Sequence, residues 1–332
     1  MPVSVCRRRV AIASIAFLAV ASLGCERRDS VEILAVGHGL DVTHPVHRAL
    51  ERMAALLSES SGGRLRLRIY PSEQLGSERE CLELLQLGSL AITKVSAAVL
   101  ENFAAEYRVF SLPYVFDDDA HRFAVLDGPL GRDILAAGVR RRLRGLAYYD
   151  SGSRSFYTVA ESVDRPGDLH GLKIRTQESP TAMALVRALG GAATPLAWGE
   201  LYTALQQGVV DGAENNPPSF HLSRHYEVAR HYALDERSAG PDVVLVGEPV
   251  WQQLDRRERR WLVRAARDSA AYQRELWRDA TDAALRAVAD AGVRVSRPDK
   301  RAFIDATAPV RRAFAADPVL APLLRRIEEA RQ

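Results

Sequence analysis

The chain has 332 residues, of which 47% are apolar and 26% are charged; this is long enough for two domains of ~100–200 residues each, and the composition excludes disordered, collagen-like and disulfide-stapled chains. The net charge of +3 is due to Arg7, Arg8 and Arg9, which lie in a predicted leader, because the remaining basic and acidic residues balance at 42 each. A protein that binds nucleic acid mainly through phosphates would carry a basic excess on some segment, and none is found.

Residues 1–25 have the pattern of an export signal. The three arginines form its positive region, residues 10–23 form a mostly apolar region, and Gly24-Cys25 forms a small-residue junction. The apolar region is shorter than the ~20 residues needed to cross a bilayer. The junction resembles a bacterial lipoprotein processing site, which leaves two alternatives, lipidation of Cys25 or ordinary signal cleavage. We expect a periplasmic protein, with Cys25 as a candidate lipid anchor to a membrane.

The first part of the mature chain alternates strands with helices. Apolar and polar side chains alternate at residues 65–70, which predicts a half-buried strand, and apolar residues at helical spacing end at glycines. We expect strands over residues 31–36, 65–70 and 90–95, one helix ending at Gly62-Gly63 and another over residues 78–87. The β-α-β-α-β order predicts a parallel sheet with helices on its faces.

The same pattern restarts in the second half of the chain. We expect strands at residues 172–175 and 209–210, a helix from Ser179-Pro180 to Gly190-Gly191, and a helix over residues 200–207. Neither Gly nor Pro interrupts residues 250–291, and Pro249 suits a first helical position. A helix of that length would run past one domain and link both; two shorter helices in series are the alternative.

Sequence signatures of enzymes and metal sites are missing from the chain. There is no phosphate-binding loop, dinucleotide-binding glycine motif, zinc-protease motif, C-x-x-C pair or nucleophile elbow. His221 and His225 have the i, i+4 spacing that could hold zinc, but no third ligand is evident nearby, and a solvated helix face is the favoured interpretation. We therefore predict no catalytic residues, no metal and no cofactor.

Several motifs occur in an order and spacing that is characteristic of one family. They are residues 70–76 (YPSEQLG), 88–90 (GSL), 112–114 (LPY), 168–175 (DLHGLKIR) and 200–215 (ELYTALQQGVVDGAEN). Together they resemble the extracytoplasmic solute-binding proteins of tripartite ATP-independent periplasmic (TRAP) transporters, the DctP-like family, over nearly the whole mature chain. The resemblance implies an α/β, two-lobed periplasmic-binding-protein fold with a hinge and a long helix spanning both lobes. We predict a first domain of residues 26–152 plus about 241–280, and a second of residues 153–240 plus about 281–332.

Arg175 is the leading candidate for binding the ligand. It ends a predicted strand, where an open α/β sheet presents its ligand crevice, and a planar guanidinium can hold a carboxylate through two parallel hydrogen bonds. In the family, the Arg of the Lys-Ile-Arg motif is the main carboxylate clamp, so the resemblance implies this role for Arg175. The alternative is a surface salt bridge.

The resemblance implies four further ligand contacts. Arg154 matches a second ligand-contacting arginine, and Asn215 matches an amide that hydrogen-bonds the carboxylate. Trp198 matches an aromatic wall of the pocket, and Glu78 a contact from the first domain. The alternatives are, in the same order, a loop cation, a turn-forming Asn, core packing and a favourable contact with a helix dipole.

Lys94 and Ser96 end the third predicted strand, near the expected cleft. A Lys in an otherwise apolar strand would be explained by a second anionic group on the ligand. The alternative is a lysine on an edge strand whose ammonium group reaches solvent along its aliphatic stem.

The function implied by the resemblance is capture of a small organic acid in an interdomain cleft that closes by hinge bending, followed by delivery to the TRAP permease subunits in the membrane. We expect a monomer that binds no nucleic acid. A binding protein that presents its ligand to a sensor is the alternative, and a periplasmic enzyme on the same scaffold is a third hypothesis. The sequence does not identify the acid, because C4-dicarboxylates, sugar acids, keto acids and aromatic acids all present a carboxylate to the same arginine.

Overall fold

The strands of the protein form two mixed sheets. A computed structural model describes residues 31–331, so the predicted export signal and Cys25 lie outside the described residues. The strands are β1 (Glu32–Gly37), β2 (Leu65–Tyr70), β3 (Ile92–Ser96), β4 (Leu143–Tyr149), β5 (Arg154–Thr158), β6 (Lys173–Thr176), β7 (Ala192–Pro195), β8 (Gly212–Asn215), β9 (His231–Ser238), β10 (Asp242–Gly247) and β11 (Arg294–Ser296). The first sheet has the order β2-β1-β3-β10-β4, and the second has the order β11-β9-β5-β8-β6-β7.

Helices connect these strands and follow them at the C-terminal end of the chain. They are α1 (Pro45–Ser61), α2 (Glu78–Leu87), α3 (Ala97–Leu100), α4 (Asp119–Asp127), α5 (Pro129–Ala137), α6 (Pro180–Ala188), α7 (Leu201–Gln206), α8 (Pro217–Leu222), α9 (Glu248–Gln253), α10 (Arg256–Asp290), α11 (Lys300–Ala306), α12 (Ala308–Ala316) and α13 (Leu320–Glu329). The two-layer arrangement of mixed sheets and helices confirms the predicted α/β class.

The first sheet combines the predicted parallel strands with one strand from much later in the chain. β1 pairs in parallel with both β2 and β3, as the β-α-β-α-β order predicts. β10 inserts antiparallel between β3 and β4 and places Asp242 opposite Ser96. Because β3 therefore lies inside the sheet, the prediction that Lys94 could be an edge-strand lysine is wrong.

The strand predicted at residues 209–210 is not formed at that position. Residues 209–210 lie in the bend that follows α7, and the strand begins at Gly212. The backbone amides of Val209 and Val210 both donate to the carbonyl of Ala204, at 2.9 and 3.3 Å, which closes the C-terminal end of α7. The apolar character of these valines predicted a buried strand, but Val209 is 49% exposed after the end of α7.

The predicted long helix is present, with a later start than expected. The Asp255 carboxylate accepts from the amide of Glu258 at 2.9 Å, and the Glu258 carboxylate accepts from the amide of Asp255 at 2.8 Å. This reciprocal cap separates α9 from α10, so α10 begins at Arg256 instead of Val250. α10 packs against α1 and β4 beside the first sheet and against α8 beside the second. It therefore spans both lobes.

Each sheet has its own apolar clusters, and the C-terminal segment contacts both lobes. α11 packs on β9 of the second sheet, whereas Phe314 of α12 and Ile327 of α13 are buried in the cluster around Phe110 beside the first sheet. The exact domain boundaries stay a prediction. Within residues 31–331, no helix is both long and apolar enough to cross a membrane.

Candidate functional site

A cavity lies between the two sheets, and all five predicted site residues line it. They are Arg175, Arg154, Asn215, Trp198 and Glu78. Glu78 comes from the side of the first sheet, and the other four come from strands and loops of the second sheet. The structure thus brings together residues that are up to 137 positions apart in the sequence.

Arg175 is a buried cation whose charge has no counterion among the described residues. Its side chain lies near the end of β6 and is 2% exposed. Nε and Nη2 donate to the carbonyl of Leu196 at 3.0 and 2.7 Å, while Nη1 is buried without a hydrogen-bond partner within the described chain. Burial lowers the pKa of Arg175, and the positive charge of Arg154 lowers it further. A buried charge of this kind is stable only when an anion pairs with it.

Arg154 lies at the start of β5 and is already paired with an acid. It makes a bidentate contact with the Glu214 carboxylate, Nε to Oε2 at 2.5 Å and Nη2 to Oε1 at 2.9 Å. Glu214 also accepts from Arg237 at 3.0 Å, and Arg237 contacts Asp235 at 3.1 Å. This buried network of two arginines and two acids is neutral overall. Arg154 can therefore offer a hydrogen bond to a ligand, but little net charge.

Asn215 presents its amide nitrogen because its oxygen is occupied. Oδ1 accepts from Arg154 Nη1 and from the amide of Asn216, both at 2.9 Å. The NH₂ group is then the part of the side chain left to donate to a ligand. The alternative for Asn215 was a turn-forming role. The next residue, Asn216, has a role of this kind, because its Oδ1 accepts from the amide of Ser219 and caps α8.

Trp198 forms an aromatic wall that rests on a buried histidine. Its ring centroid is 5.8 Å from the guanidinium carbon of Arg175 and 5.0 Å from the ring of His225. His225 is 2% exposed, and its Nδ1 lies 2.8 Å from the hydroxyl of Tyr157. Burial, with a smaller effect from Arg175, lowers the pKa of His225 to about 3, so its ring is neutral. The predicted solvated face is therefore wrong for His225 and holds only for the half-exposed His221.

Glu78 and Lys94 form a charged cluster with Asp242 on the side of the first sheet. Lys94 Nζ lies 3.2 Å from Glu78 Oε1 and 3.0 Å from Asp242 Oδ2. Glu78 also accepts from the amide of Ser96 at 3.1 Å. Burial by itself would lower the pKa of Lys94, but the Asp242 and Glu78 carboxylates raise it above its ordinary value. Lys94 is therefore protonated and already paired with two acids.

Several further cavity residues escaped the sequence analysis, among them His44, Asp242 and Trp277. His44 caps α1 by accepting from the amide of Val46 at 3.2 Å, and burial lowers its pKa to about 3. Its position directly before Pro45 was a usable signal for a helix cap. Asp242 begins an apolar strand, where a charged residue was a weaker signal. Nothing in the sequence around Trp277 distinguishes it from other apolar residues of α10.

Comparisons with known proteins agree with this geometry. Residues 36–317 match the model of the family described as bacterial extracellular solute-binding protein, family 7. A solved TRAP periplasmic solute-binding protein from Bradyrhizobium, in complex with D-galacturonate, is 40% identical, with a TM-score of 0.88 over 90% of this chain and 100% of that one. Another from Anaerococcus prevotii, with bound D-glucuronate, is 35% identical, with a TM-score of 0.87 over 90% and 97%.

A relative from Escherichia coli is also a periplasmic binding protein. The 2,3-diketo-L-gulonate-binding periplasmic protein YiaO of Escherichia coli is 28% identical over 96% of both chains. The family match covers most of the sequence, and the structural matches cover nearly all of the described residues. The protein therefore belongs to family 7 of the bacterial extracellular solute-binding proteins and is a TRAP-type solute-binding protein.

Proposed function

We propose that the protein binds a hexuronate, or a closely related sugar acid with one carboxylate, in the cavity between the two sheets, with the carboxylate at Arg175. The observation that carries this proposal is the buried Arg175 guanidinium, which has an unpartnered Nη1 and no acid beside it in the described chain. A carboxylate is the planar anion that such a fork binds with two hydrogen bonds. Asn215 and Arg154 line the same cavity, and in this proposal they add a neutral and a charge-assisted donor to the same anion.

The ligands of the structural neighbours support a sugar acid. The proteins from Bradyrhizobium and Anaerococcus prevotii carry galacturonate and glucuronate, and the Escherichia coli relative is named for a diketogulonate. These ligands share one carboxylate and several oxygens on the remaining carbons. The cavity has further polar groups that can pair with such oxygens, among them His44, Gln177 and Ser219. Trp198 supplies a flat surface for a sugar ring.

Delivery to a membrane permease completes the proposed role. The export signal predicted at residues 1–25 supports a periplasmic location, and a lipidated Cys25 would tether the protein to a membrane. Family membership supports the TRAP permease subunits as the partner that receives the ligand. We propose that the protein acts as a monomer and binds, without transforming, its ligand.

The test is a thermal-shift and calorimetric titration of the mature protein with D-glucuronate, D-galacturonate, D-glucose and succinate. A ligand at 100 times its Kd should add about 2.7 kcal/mol of stability, and we expect this effect from a hexuronate but not from glucose, which lacks the carboxylate. Arg175→Ala should weaken hexuronate binding by ~10- to 100-fold or more, because a buried charge-assisted hydrogen bond contributes roughly 1.5–3 kcal/mol.

Arg187→Ala is the matched control, since Arg187 is exposed on α6, close to Arg175 in sequence but outside the cavity. Full binding by the Arg175→Ala variant would show that the carboxylate lies elsewhere. Stabilisation by succinate alone would replace the sugar acid with a C4-dicarboxylate.

A further inference from the structure

The cavity carries opposite charges on its two sides. On the side of the second sheet, Arg175 is a single unpaired cation, because Arg154 is neutralised by Glu214. On the side of the first sheet, Glu78, Lys94 and Asp242 form what we call the Lys94 cluster. Its two carboxylates and one ammonium group give it a net charge of −1. The cavity therefore carries a positive charge on the side of the second sheet and a net negative charge on the side of the first sheet.

The Lys94 cluster is too buried for water to screen this charge effectively. The side chains of Lys94, Asp242 and Glu78 are 4%, 8% and 16% exposed, and all three line the cavity. Their positions are set by the sheet, because β10 runs antiparallel to β3 and brings Asp242 opposite Ser96. The amide of Ser96 also holds the Glu78 carboxylate at the start of α2. The pairing of β3 with β10 and the Ser96 amide therefore fix the Lys94 cluster in the cavity wall.

Lys94 has little capacity to attract another anion. An ammonium group has three N–H donors, and Lys94 directs two of them toward Glu78 and Asp242, at 3.2 and 3.0 Å. An additional carboxylate beside it would meet two negative charges for one positive charge. Glu178, which is partly exposed, adds another negative charge to the cavity lining. The earlier interpretation of Lys94 as a partner for a second anionic group is not supported by these contacts.

Carboxylate oxygens are instead acceptors for the hydroxyl groups of a ligand. A hydroxyl group next to the Lys94 cluster can donate to Glu78 or Asp242 and accept from Lys94. A carboxylate in that place can only accept, and it would be repelled by the net negative charge, which inside a buried site is costly. The chemistry of the cluster thus differs from that of Arg175 on the side of the second sheet.

We infer that the Lys94 cluster is a specificity filter, which admits acids with a single carboxylate and a hydroxylated far end and rejects acids with a carboxylate at both ends. This inference rests on the proposed function, because it takes a sugar acid held by Arg175 as the ligand. The residues that set the discrimination are Glu78 and Asp242, and Lys94 orients both carboxylates.

The experiment compares D-glucuronate with D-glucarate, which has a carboxylate at each end, by isothermal titration calorimetry. The wild-type protein should bind glucarate at least tenfold more weakly than glucuronate. Asp242→Asn makes the cluster neutral, and it should reduce this ratio at least fivefold. Glu78→Gln should do the same, and it provides a second variant with a more exposed side chain if Asp242→Asn fails to fold. Glu83→Gln on the exposed part of α2 is the matched control and should keep the wild-type ratio.

The possible outcomes separate this inference from the proposed function. If the wild-type protein binds glucuronate but the ratio stays unchanged in both Asp242→Asn and Glu78→Gln, the specificity filter is wrong and the proposed function stands. Equal affinity of the wild-type protein for glucuronate and glucarate would also show that the specificity filter is wrong while the proposed function stands. If the wild-type protein binds no hexuronate at all, the proposed function fails, and the inference that rests on it falls as well.

Discussion

At the scale of single residues, the site depends on neighbours that hold the ligand-binding groups in place. The carbonyl of Leu196 accepts two hydrogen bonds from Arg175, which orients the guanidinium before any ligand arrives. His225 supports Trp198 from behind and is itself held by the hydroxyl of Tyr157. Such preorganisation lowers the entropic cost of binding. We therefore expect the residues that support the site to affect ligand affinity through the positions of their neighbours.

Replacing His225 should weaken ligand binding without unfolding the protein. His225→Ala removes the ring beneath Trp198 and the partner of Tyr157, and we expect about a tenfold loss of affinity for the hexuronate, or ~1.4 kcal/mol. His225→Gln, which retains a hydrogen-bonding group for Tyr157, should recover part of that loss. Calorimetric titration is the measurement.

His221→Ala is the control for this position, since His221 lies four residues away and is half-exposed. A merely structural role for His225 would lower the melting temperature of His225→Ala and leave the affinity of the folded protein unchanged.

At the scale of secondary-structure elements, Glu101 of the first lobe is hydrogen-bonded to the N-terminal end of α6 in the second lobe. Glu101, at the C-terminal end of α3, accepts from Ser179 Oγ at 2.7 Å and from the amide of Thr181 at 2.8 Å. Its side chain is buried, at 6% exposure. α6 follows directly on β6, which carries Arg175. The contact therefore joins the two lobes next to the candidate ligand-binding residue.

Loss of the Glu101 carboxylate should destabilise the protein. Glu101→Ala leaves a buried hydroxyl and a buried amide without their acceptor, which costs about 1–3 kcal/mol. Glu101→Gln keeps an acceptor for both groups and should be much less destabilising at pH 7. Urea unfolding measures the difference, and equal stability of both variants would contradict the role of this contact.

A comparison of the wild-type protein with Glu101→Gln also tests the titration of Glu101. Burial raises the pKa of Glu101 despite the hydrogen bonds from Thr181 and Ser179. The folded protein then binds the proton more tightly than the unfolded chain, so the free energy of unfolding gains from protonation as the pH falls. We expect the wild type to gain stability relative to Glu101→Gln between pH 7 and about 4.5. A relative loss would show that the carboxylate is favoured in its charged form.

At the scale of the whole molecule, buried histidines are neutral, and His44 lies where the lobes and the long helix meet. Burial lowers the pKa of His38 to about 2 and that of His44 to about 3. His44 lies 3.3 Å from Ser219 at the second sheet and packs against Trp277 of α10, at a ring distance of 5.7 Å. It thereby contacts both lobes and the helix that spans them. Protonation of such residues favours the unfolded chain.

Acid should destabilise the protein in the range where the unfolded histidines titrate. An unfolded histidine binds its proton near pH 6.5 and the folded His44 only near pH 3, so stability is full above pH 6.5 and falls below it. At pH 5 the loss from His44 is about 2 kcal/mol. His44→Asn keeps a helix-capping side chain and should flatten the decline between pH 7 and pH 5 by this amount, measured by urea unfolding. The exposed His170→Asn variant should leave the decline unchanged, and an equally steep decline in His44→Asn would refute the assignment.

The sequence by itself determined the elements and motifs of this protein, because these depend on local patterns. Alternation at residues 65–70, glycines at helix ends and each family motif are contained in short segments. The resemblance that the motifs carry together implied Arg175, Arg154, Asn215, Trp198 and Glu78 as site residues, and all five line one cavity. Local patterns fail where two structures share them, as at residues 209–210, where apolar residues close a helix instead of forming a strand.

Only the tertiary structure decided which charges are paired and which are free. Arg154 and Arg175 look equivalent in the sequence, but β8 places Glu214 against Arg154, and no acid of the described chain lies within salt-bridge distance of Arg175. Lys94 is separated from Asp242 by 148 positions and meets it only because β10 pairs with β3. Electrostatic interactions depend on distance and burial in space, and distance along the chain does not predict either.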